Sequence, residues 1–375
     1  MGVQRSASGT GTAGAPTFNL PSPDAPREPI PRQVPAGTVP LLAVEGTAYD
    51  CGREYGELVR ERYPFYANYR EGNAWWMELA PEVKEQYERR APHLFDLFRG
   101  LNDGMGPDAD QRAPAASAPE PGGCTSFGVS GSVTLDGEPF SGQTKDTQTQ
   151  SAYRYVVLRM RVKDAPTILV LAYPGEVLGY GMWSTGMSIF RNSLYSKAGA
   201  EKGLPMGTWG YLMLAGTSVH DAVDLANRFG LSGSGNCLIS DPQGESLSVE
   251  FNAGGMSAVP ARDGIATHGN HVEGEETGPF AAYVGKEGVT EEENSRYRMH
   301  GFWHLLNEER GRLTPQRAFV SLADHTYYPQ GTCRHWVDGK PGMETTAAVV
   351  VEPTKGLLHV VRGQPCANWP VTYSV

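Results

Sequence analysis

The alternation of apolar and polar residues divides the chain into a helical region followed by a region of strands and helix pairs. Between Asp50 and Leu101, apolar side chains recur at helical spacing. Pro81 and Pro92 interrupt this pattern and divide the region into at least three helices. A short apolar run over 39–44 predicts one strand before the first helix.

After Cys124 the pattern becomes that of a mixed α+β protein. The predicted elements are strands over 155–162, 167–173 and 186–190, hairpins over 237–251 and 347–361, and helices over 206–215, 219–229, 296–309 and 315–324. Strands therefore alternate with pairs of helices, which indicates mixed α and β structure with helix pairs.

Composition and charge narrow the class of protein. The chain has 375 residues, 39% of them hydrophobic, with 46 glycines and 28 prolines, which is typical of a globular protein rich in loops. The net charge of −10 argues against a nucleic-acid partner and against binding to an anionic membrane surface. Residues 1–38 contain no apolar run, and their Gly, Ser, Ala, Thr and Pro content predicts a disordered leader.

The cysteines indicate a reducing compartment. There are five, widely spaced: Cys51, Cys124, Cys237, Cys333 and Cys366. An odd, dispersed set does not form a disulfide framework, so a cytoplasmic location is expected. Cys333 and His335 have no CxxC companion, and no glutamate follows His300 as a zinc protease requires. Neither a metal nor a cofactor is therefore expected.

Cys124 is the strongest candidate for chemistry. It follows two glycines and a long loop predicted over 104–121, and it begins a strand-like run. If the Gly123–Cys124 peptide bond is cut, Cys124 carries a thiol and a free α-amino group whose pKa lies near ~8. An N-terminal amine is a known activator of such a nucleophile. From position alone, the simpler interpretation is a small buried thiol.

Six segments resemble, in order, the acyl-coenzyme A:6-aminopenicillanic acid acyltransferase family, which consists of N-terminal-nucleophile (Ntn) hydrolases. They are the glycine-punctuated stretch 46–56, the junction 123–126, GQTKD at 142–146, HGNH at 268–271, the late segment 324–335 and GQPC at 363–366. The resemblance spans roughly Val39 to Cys366. It implies self-cleavage between Gly123 and Cys124.

The resemblance also implies the fold and the domain organisation. The expected fold is a four-layer α/β/β/α sandwich of the Ntn-hydrolase type, preceded by a helical segment. Residues 39–123 would form the helical segment, with a flexible loop over 104–121, and would become the α chain. Residues 124–375 would form the catalytic core and become the β chain. The two processed chains of one precursor would remain partners.

The resemblance assigns roles to two further residues. Asp146 lies in a polar run that by itself indicates a turn or an edge strand. In the family, its counterpart holds and polarises the new amine. Asn270, by itself a turn former, corresponds to an oxyanion donor. Thr144 and Lys145 replace the family's Asn-Trp. The remaining candidates for an oxyanion or pocket role are Asn192, Asn236, Arg191 and His271.

Three functions are compatible with these residues. The first is a self-processed Ntn enzyme that hydrolyses or transfers the acyl group of a small-molecule amide or thioester, with acyl-coenzyme A as a possible substrate. The second is an unprocessed thiol hydrolase in which Cys124 pairs with His268 or His271. The third is a non-catalytic relative that serves as a binding module.

Overall fold

The computed structural model describes residues 37–63, 79–106, 123–282, 291–326, 328, 331–335 and 343–375, all within one compact unit, Val34–Val375. Apart from residues 37 and 38, the predicted leader lies outside the described residues. Most of the loop predicted over 104–121 lies outside them too. The first described elements are strand β1 (Leu41–Gly46) and helices α1 (Ala48–Arg62), α2 (Pro81–Arg90) and α3 (His93–Met105).

The breaks between these helices fall where the prolines predict them. Pro81 is the first residue of α2, and Pro92 is the N-cap of α3. Proline is tolerated at a helix start because it lacks the amide hydrogen that would have no partner there. At the start of α1, the Thr47 hydroxyl accepts a hydrogen bond from the main-chain N–H of Asp50 at 3.2 Å.

The remaining elements confirm the predicted alternation of strands and helix pairs. In chain order they are β2 (Gly123–Val129), β3 (Phe140–Gln148), β4 (Val156–Val162), β5 (Ile168–Ala172), β6 (Tyr180–Trp183), β7 (Ser188–Asn192), β8 (Leu204–Pro205), α4 (Met206–Leu214), α5 (Val219–Phe229), β9 (Leu231–Ser232), β10 (Gly235–Ser240), β11 (Ser246–Asn252), β12 (Gly255–Pro260), β13 (Ile265–His268), α6 (Glu291–Glu308), α7 (Pro315–Leu322), β14 (Met343–Glu352), β15 (Leu357–Arg362) and β16 (Val371–Ser374).

The strands form two large sheets. The eight-stranded sheet has the order β1-β4-β5-β6-β7-β10-β11-β12, and the six-stranded sheet has the order β13-β2-β3-β14-β15-β16. In the eight-stranded sheet, β1 runs parallel to β4 while the other pairs are antiparallel. The first segment of the chain therefore contributes an edge strand to a sheet that is otherwise built after Cys124.

The two faces of each sheet pack against different layers. In β4, Val156 and Leu158 face a core shared with α1, α3 and α4, whereas Val157 faces the other sheet. In β14, Val349 faces the eight-stranded sheet, whereas Val350 packs toward α6 and α7. This period-two alternation gives helices, sheet, sheet and helices in succession. The expected four-layer α/β/β/α sandwich is confirmed.

Helices α1 and α3 pack through glycines on both sides. A methyl group built on Gly52 would lie 1.9 Å from the carbonyl oxygen of Leu97, and one on Gly100 would lie 2.0 Å from that of Tyr49. Gly56 and Gly104, four residues further along each helix, are similarly close to the facing backbone. The glycines allow a backbone approach that a side chain would prevent. None of the described helices is long and apolar enough to cross a membrane.

The polar run around Asp146 occupies an unexpected place. Strand β3 pairs with β2 on one side and with β14 on the other, so it is an interior strand. The interpretation of this run as a turn or an edge strand is wrong. Most of its polar side chains have a hydrogen-bond partner there: Gln143 bonds to Arg191, Lys145 to Tyr180 and Thr147 to Thr346.

Candidate active site

Strand β2 places Cys124 in the interior of the six-stranded sheet, with 2% of its surface exposed. Across β3, Gly123 lies opposite Asp146, and Cys124 lies opposite Lys145. The pleat of the strands directs Cys124 and Lys145 toward the eight-stranded sheet, where the Lys145 ammonium bonds to Tyr180 of β6. Asp146 lies on the opposite face.

The main chain of Cys124 is held on both sides of its α-carbon. Its N–H donates a hydrogen bond to Oδ1 of Asn270 at 3.0 Å. Its carbonyl oxygen accepts one from Nη1 of Arg298 at 2.6 Å. The predicted junction is therefore a buried, fixed segment, and two distant parts of the chain position it.

Arg298 of α6 links the parts of the site, and the sequence prediction did not include it. Its Nη2 donates to Oδ1 of Asn270 at 2.7 Å, and its Nη1 lies 3.9 Å from Oδ2 of Asp146. Its side chain is completely buried. The sequence did contain a signal, because Arg298 shares one helix face with the apolar Phe302 and Leu306, four and eight residues later.

Asp146 has one carboxylate oxygen bonded and one without a hydrogen bond. Oδ1 accepts from the Thr345 hydroxyl at 2.7 Å. Oδ2 receives no hydrogen bond from the described residues, although the whole side chain is buried. A methyl group on Gly123 would lie 2.8 Å from that oxygen. Glycine at 123 thus leaves an acceptor directly beside the junction, and an acceptor left unsatisfied in the interior is costly.

Asn270 has a defined amide orientation. Its Oδ1 accepts from both Cys124 and Arg298, and its Nδ2 donates to the carbonyl oxygen of Ser193 at 2.9 Å. Its own main-chain N–H donates to the hydroxyl of Ser295 at 2.6 Å. In the intact chain, Asn270 therefore anchors the junction by its oxygen. Its predicted role as an oxyanion donor stays a prediction.

The two histidines that flank this asparagine bond to groups other than Cys124. Nε2 of His268 lies 2.6 Å from Oε1 of Glu250, and its Nδ1 lies 3.0 Å from the carbonyl oxygen of Gly269. Nδ1 of His271 lies 2.7 Å from the hydroxyl of Ser295, and its Nε2 lies 2.7 Å from Oε1 of Glu273. Burial lowers the pKa of His271 to about 4. Both nitrogens of His268 and Nδ1 of His271 thus have hydrogen-bond partners, and Nε2 of His271 contacts the Glu273 carboxylate without meeting hydrogen-bond geometry.

A cavity of about 290 Å³ lies beside strands β7 and β10; Lys145, which lies opposite Cys124 in the strand pair, lines it, whereas Cys124 itself does not. Residues that line it include Lys145, Tyr180, Arg191, Asn192, Asn236 and Phe251. Two cations lie close to the Tyr180 ring. Nζ of Lys145 is 4.0 Å from the ring centroid, and Cζ of Arg191 is 4.3 Å from it. Arg191 also forms an ion pair with Glu176. Arg191, Asn192 and Asn236, predicted as pocket candidates, therefore share this cavity.

Lys145 is a buried cation beside the thiol. Burial disfavours its ammonium form, but electrostatic interaction with Cys124 and Tyr180 outweighs that effect and holds the Lys145 pKa well above its usual range. The sequence showed Lys145 only as a departure from the family's Trp. The structure places it directly opposite Cys124 in the strand pair.

Asn192 and Asn236 form a pair at the cavity wall. Oδ1 of Asn192 accepts from the Ser126 hydroxyl at 2.7 Å and from Nδ2 of Asn236 at 3.0 Å. This fixes the amide orientation of Asn192 and leaves its Nδ2 without an acceptor among the described residues. A buried N–H donor at the wall of a cavity can bind a ligand oxygen.

Comparison with protein families gives one decisive match. Residues 133–367, more than half of the chain, match the family described as acyl-coenzyme A:6-aminopenicillanic acid acyl-transferase. The chain belongs to this family. The matched range contains Asp146, Asn192, Asn270 and Arg298, and it begins nine residues after Cys124. The recognition made from short sequence segments is confirmed.

Solved structures of similar fold are distant in sequence. A mutant of the conjugated bile acid hydrolase from Clostridium perfringens is 10% identical, covers 67% of this chain and 97% of its own, and has a TM-score of 0.45. Penicillin V acylase from Agrobacterium tumefaciens is 13% identical, covers 66% of this chain and 84% of its own, and has a TM-score of 0.39. No curated protein gives a significant match.

Proposed function

We propose that this protein is a self-processing N-terminal-cysteine enzyme that hydrolyses or transfers the acyl group of a small-molecule amide or thioester. The observation that carries the proposal is the arrangement at the junction. The N–H of Cys124 is fixed by Asn270, and a buried carboxylate oxygen of Asp146, which receives no hydrogen bond from the described residues, lies beside Gly123. The free amine that cleavage creates would supply the missing donor.

Self-cleavage proceeds in two steps. The Cys124 sulfur attacks the carbonyl carbon of Gly123, the C–S bond forms, and the C–N bond breaks, so that the departing nitrogen becomes an amine and takes up a proton. Water then hydrolyses the thioester, which releases the Gly123 carboxylate and restores the thiol. Because Gly123 has no side chain, its carbonyl is open to attack.

The new amine has two acceptors close by. Oδ1 of Asn270 already bonds to the same nitrogen in the intact chain, and Oδ2 of Asp146 lies next to Gly123. A carboxylate beside an amine raises the pKa of that amine and fixes its direction. The amine can then take the thiol proton of Cys124 and later deliver it to the leaving group.

Two residues of the cavity complete the acyl chemistry. The Lys145 ammonium stabilises the thiolate that attacks the substrate, since the two lie opposite each other in the strand pair. Nδ2 of Asn192 is the donor best placed to meet the oxyanion of the tetrahedral intermediate, because it is buried at the cavity wall and has no acceptor among the described residues. Asn270 remains the second candidate.

The cavity indicates the substrate class. Its volume of about 290 Å³ accommodates a small acyl group, and the Lys145 ammonium favours a substrate with polar or anionic groups, whereas the charge of Arg191 is matched by Glu176. The family name includes an acyl-coenzyme A donor and an amine acceptor, 6-aminopenicillanic acid. We therefore include coenzyme A thioesters with amides as substrates, and both water and amines as acceptors.

The unprocessed Cys–His alternative has less support. A conventional pair needs a histidine nitrogen directed at Cys124, and the nitrogens of His268 and His271 bond to Glu250, Ser295 and neighbouring groups instead.

Intact-mass spectrometry of purified full-length protein tests the proposal. Cleavage gives fragments of 123 and 252 residues from the chain of 375. Cys124→Ala should abolish both cleavage and acyl transfer. Cys51→Ala is the matched control, because Cys51 is an equally buried thiol in α1, outside the site.

Activity is assayed on a panel of acyl amides and acyl-coenzyme A thioesters, each with and without an amine acceptor. Active protein that shows only the intact chain would refute processing. Full activity of Cys124→Ala would refute the nucleophile. Cleaved protein that binds acyl compounds but turns none over would leave the binding-module function.

A further inference from the structure

Four side chains outside the proposed active site converge at one end of the six-stranded sheet. We name His325, Cys333, His335 and Cys366 the Cys2His2 cluster; one atom from each lies within 4.8 Å of the others. Nε2 of His335 is 2.9 Å from Nε2 of His325, 3.5 Å from Sγ of Cys333 and 3.3 Å from Sγ of Cys366. The two sulfur atoms are 3.6 Å apart.

These separations are close to those of ligands around a tetrahedral zinc ion. Zinc binds sulfur at ~2.3 Å and imidazole nitrogen at ~2.0–2.1 Å. Tetrahedral angles then put two sulfurs about 3.8 Å apart, sulfur and nitrogen about 3.5 Å apart, and two nitrogens about 3.4 Å apart. The three sulfur distances given above agree within a few tenths of an ångström, the nitrogen pair is about 0.5 Å closer, and His325 lies within 4.8 Å of both sulfurs.

The donor set is chemically selective. Two thiols with two imidazoles in a tetrahedral arrangement favour zinc over magnesium or calcium, which prefer oxygen ligands. Four protein ligands also fill the coordination sphere, as in structural zinc sites. The cluster lies partly at the surface, with His325 and Cys366 exposed and Cys333 buried, so an ion can enter from solvent.

We propose that the Cys2His2 cluster binds one structural Zn²⁺ ion, with release of the two thiol protons to solvent. The sequence predicted no metal because Cys333 and His335 lack a CxxC companion. The ligands instead come from two separate segments, residues 325–335 after α7 and Cys366 after β15. The fold brings the four ligands together, so their spacing along the sequence does not reveal the site.

The ion would brace the junction through Arg334, which lies between two of its ligands. The main-chain N–H of Arg334 donates to the Thr345 hydroxyl at 2.8 Å, and that hydroxyl donates to Asp146 at 2.7 Å. Nη1 of Arg334 lies 3.1 Å from the position of a methyl group built on Gly123. Zinc would therefore fix the main chain of Arg334, a positioning residue that is linked to Asp146 through Thr345 and whose guanidinium lies near Gly123.

Metal analysis of the full-length chain tests the site directly. Protein produced with added zinc, then desalted, should contain about one zinc per chain. Cys333→Ser and Cys366→Ser should each lose most of it. Cys51→Ala, which removes a buried thiol in α1, should retain it. The Cys124→Ala chain should also retain it, so the result does not depend on the proposed cleavage.

A second measurement uses the unaltered chain and avoids variants that fold poorly. Replacement of zinc by Co²⁺ should give the strong visible absorption and the thiolate-to-metal bands of tetrahedral S2N2 coordination. Removal of the metal by a chelator should lower the thermal midpoint, and added zinc should restore it.

Three results would overturn the proposal. The first is a chain without bound metal after incubation with excess Zn²⁺. The second is a Cys333–Cys366 disulfide in freshly purified protein, seen as the loss of two hydrogens in the intact mass. The third is full zinc content in the Cys333→Ser and Cys366→Ser double variant, which would place the metal elsewhere.

Discussion

Asp146 is a negative charge in a buried position, and its effect depends on what lies opposite its free oxygen. In the processed enzyme that group would be the amine of Cys124. Asp146→Asn keeps the shape but removes the charge, so we expect the turnover of processed protein to fall on the order of 10²-fold. Rates of cleavage and turnover are measured separately. Asp136→Asn, an exposed acid paired with Lys355, is the control; unchanged turnover in Asp146→Asn would remove Asp146 from the site.

Asn192 offers a test of oxyanion stabilisation that leaves processing untouched. Asn192→Ala removes the buried donor at the cavity wall but no bond to Cys124. We expect kcat and kcat/KM to fall together by on the order of 10²-fold, because the interaction forms only in the transition state. Steady-state kinetics on fully cleaved protein measures this. A raised KM with normal kcat would make Asn192 a binding residue.

Asn270 should behave differently from Asn192. Asn270→Ala removes the acceptor of the Cys124 N–H and a partner of Arg298, so the cleavage itself should slow by on the order of 10-fold or more. The appearance of the 252-residue fragment is followed with time by mass spectrometry. Cleavage at the normal rate, with turnover reduced as in Asn192→Ala, would restore the oxyanion role that the sequence predicted.

At the residue scale, the sequence predicted the uncharged and acidic residues of the candidate site but not the buried cations Arg298 and Lys145. Cys124, Asp146 and Asn270 stand in short segments that resemble the family, and the structure brings all three together. The sequence did not predict Arg298 and Lys145 as buried residues of the site, because arginine and lysine are almost always at the surface. Their burial depends on partners from distant strands, which no local pattern contains.

At the scale of elements, the close contact between α1 and α3 requires glycine at the positions where the two backbones meet. Gly52→Ala would place a methyl group 1.9 Å from the Leu97 carbonyl oxygen, so the helices must separate. We expect a loss of unfolding free energy of about 3 kcal/mol or more, measured by denaturant unfolding. Gly207→Ala in α4 is the matched control, since its methyl group meets no atom within 4 Å. The control should be neutral or stabilising by up to about 1 kcal/mol, and an equal loss in both variants would refute the close approach.

His93, at the start of α3, makes the free energy of unfolding depend on pH. Its ring lies 5.9 Å from that of Trp183, its Nε2 has no partner among the described residues, and burial lowers its pKa to about 4. The unfolded chain therefore binds a proton below about 6.5, whereas the folded chain does not until about pH 4. Stability must fall as pH drops through this window.

The variant His93→Gln should lose less unfolding free energy than the unaltered chain as the pH falls from 7 to about 4. The difference should be on the order of 3 kcal/mol at most. Unfolding free energies at pH 7, 5.5 and 4.5 measure the effect, with exposed His304→Gln as the control for loss of one titratable group. Some slope should remain, because His271 has a pKa of about 4 for the same reason. An acid limb as steep in His93→Gln as in the unaltered chain would contradict the assignment.

The pattern of the sequence predicted most elements because their signals are local. The breaks at Pro81 and Pro92 and the helix pairs follow from proline chemistry and helical periodicity. The short strands β6, β12, β13 and β16 were missed. Each has only four to six residues, and glycines interrupt some of them. Pairing with neighbours, more than residue preference, makes them strands.

At the scale of the whole molecule, cleavage at residue 123 would separate no part of the fold. Strand β1 lies in register with β4, and the Tyr55 hydroxyl of α1 donates to the carbonyl oxygen of Glu176 at 3.0 Å. We expect the two fragments to elute together from a size-exclusion column and to separate only under denaturing conditions. Fragment 1–123 eluting alone from native protein would contradict this.

The parallel pairing of β1 with β4 also changes the reaction order of folding. The precursor folds in a first-order process, because one covalent chain carries the edge strand to its place. Once the bond is cut, the same strand must find β4 by diffusion, so refolding after complete denaturation becomes second-order. Its yield then depends on protein concentration, which it does not for the precursor at equal dilution. If the chain is cut at this bond as proposed, the covalent junction would be needed once, during the first folding of each molecule.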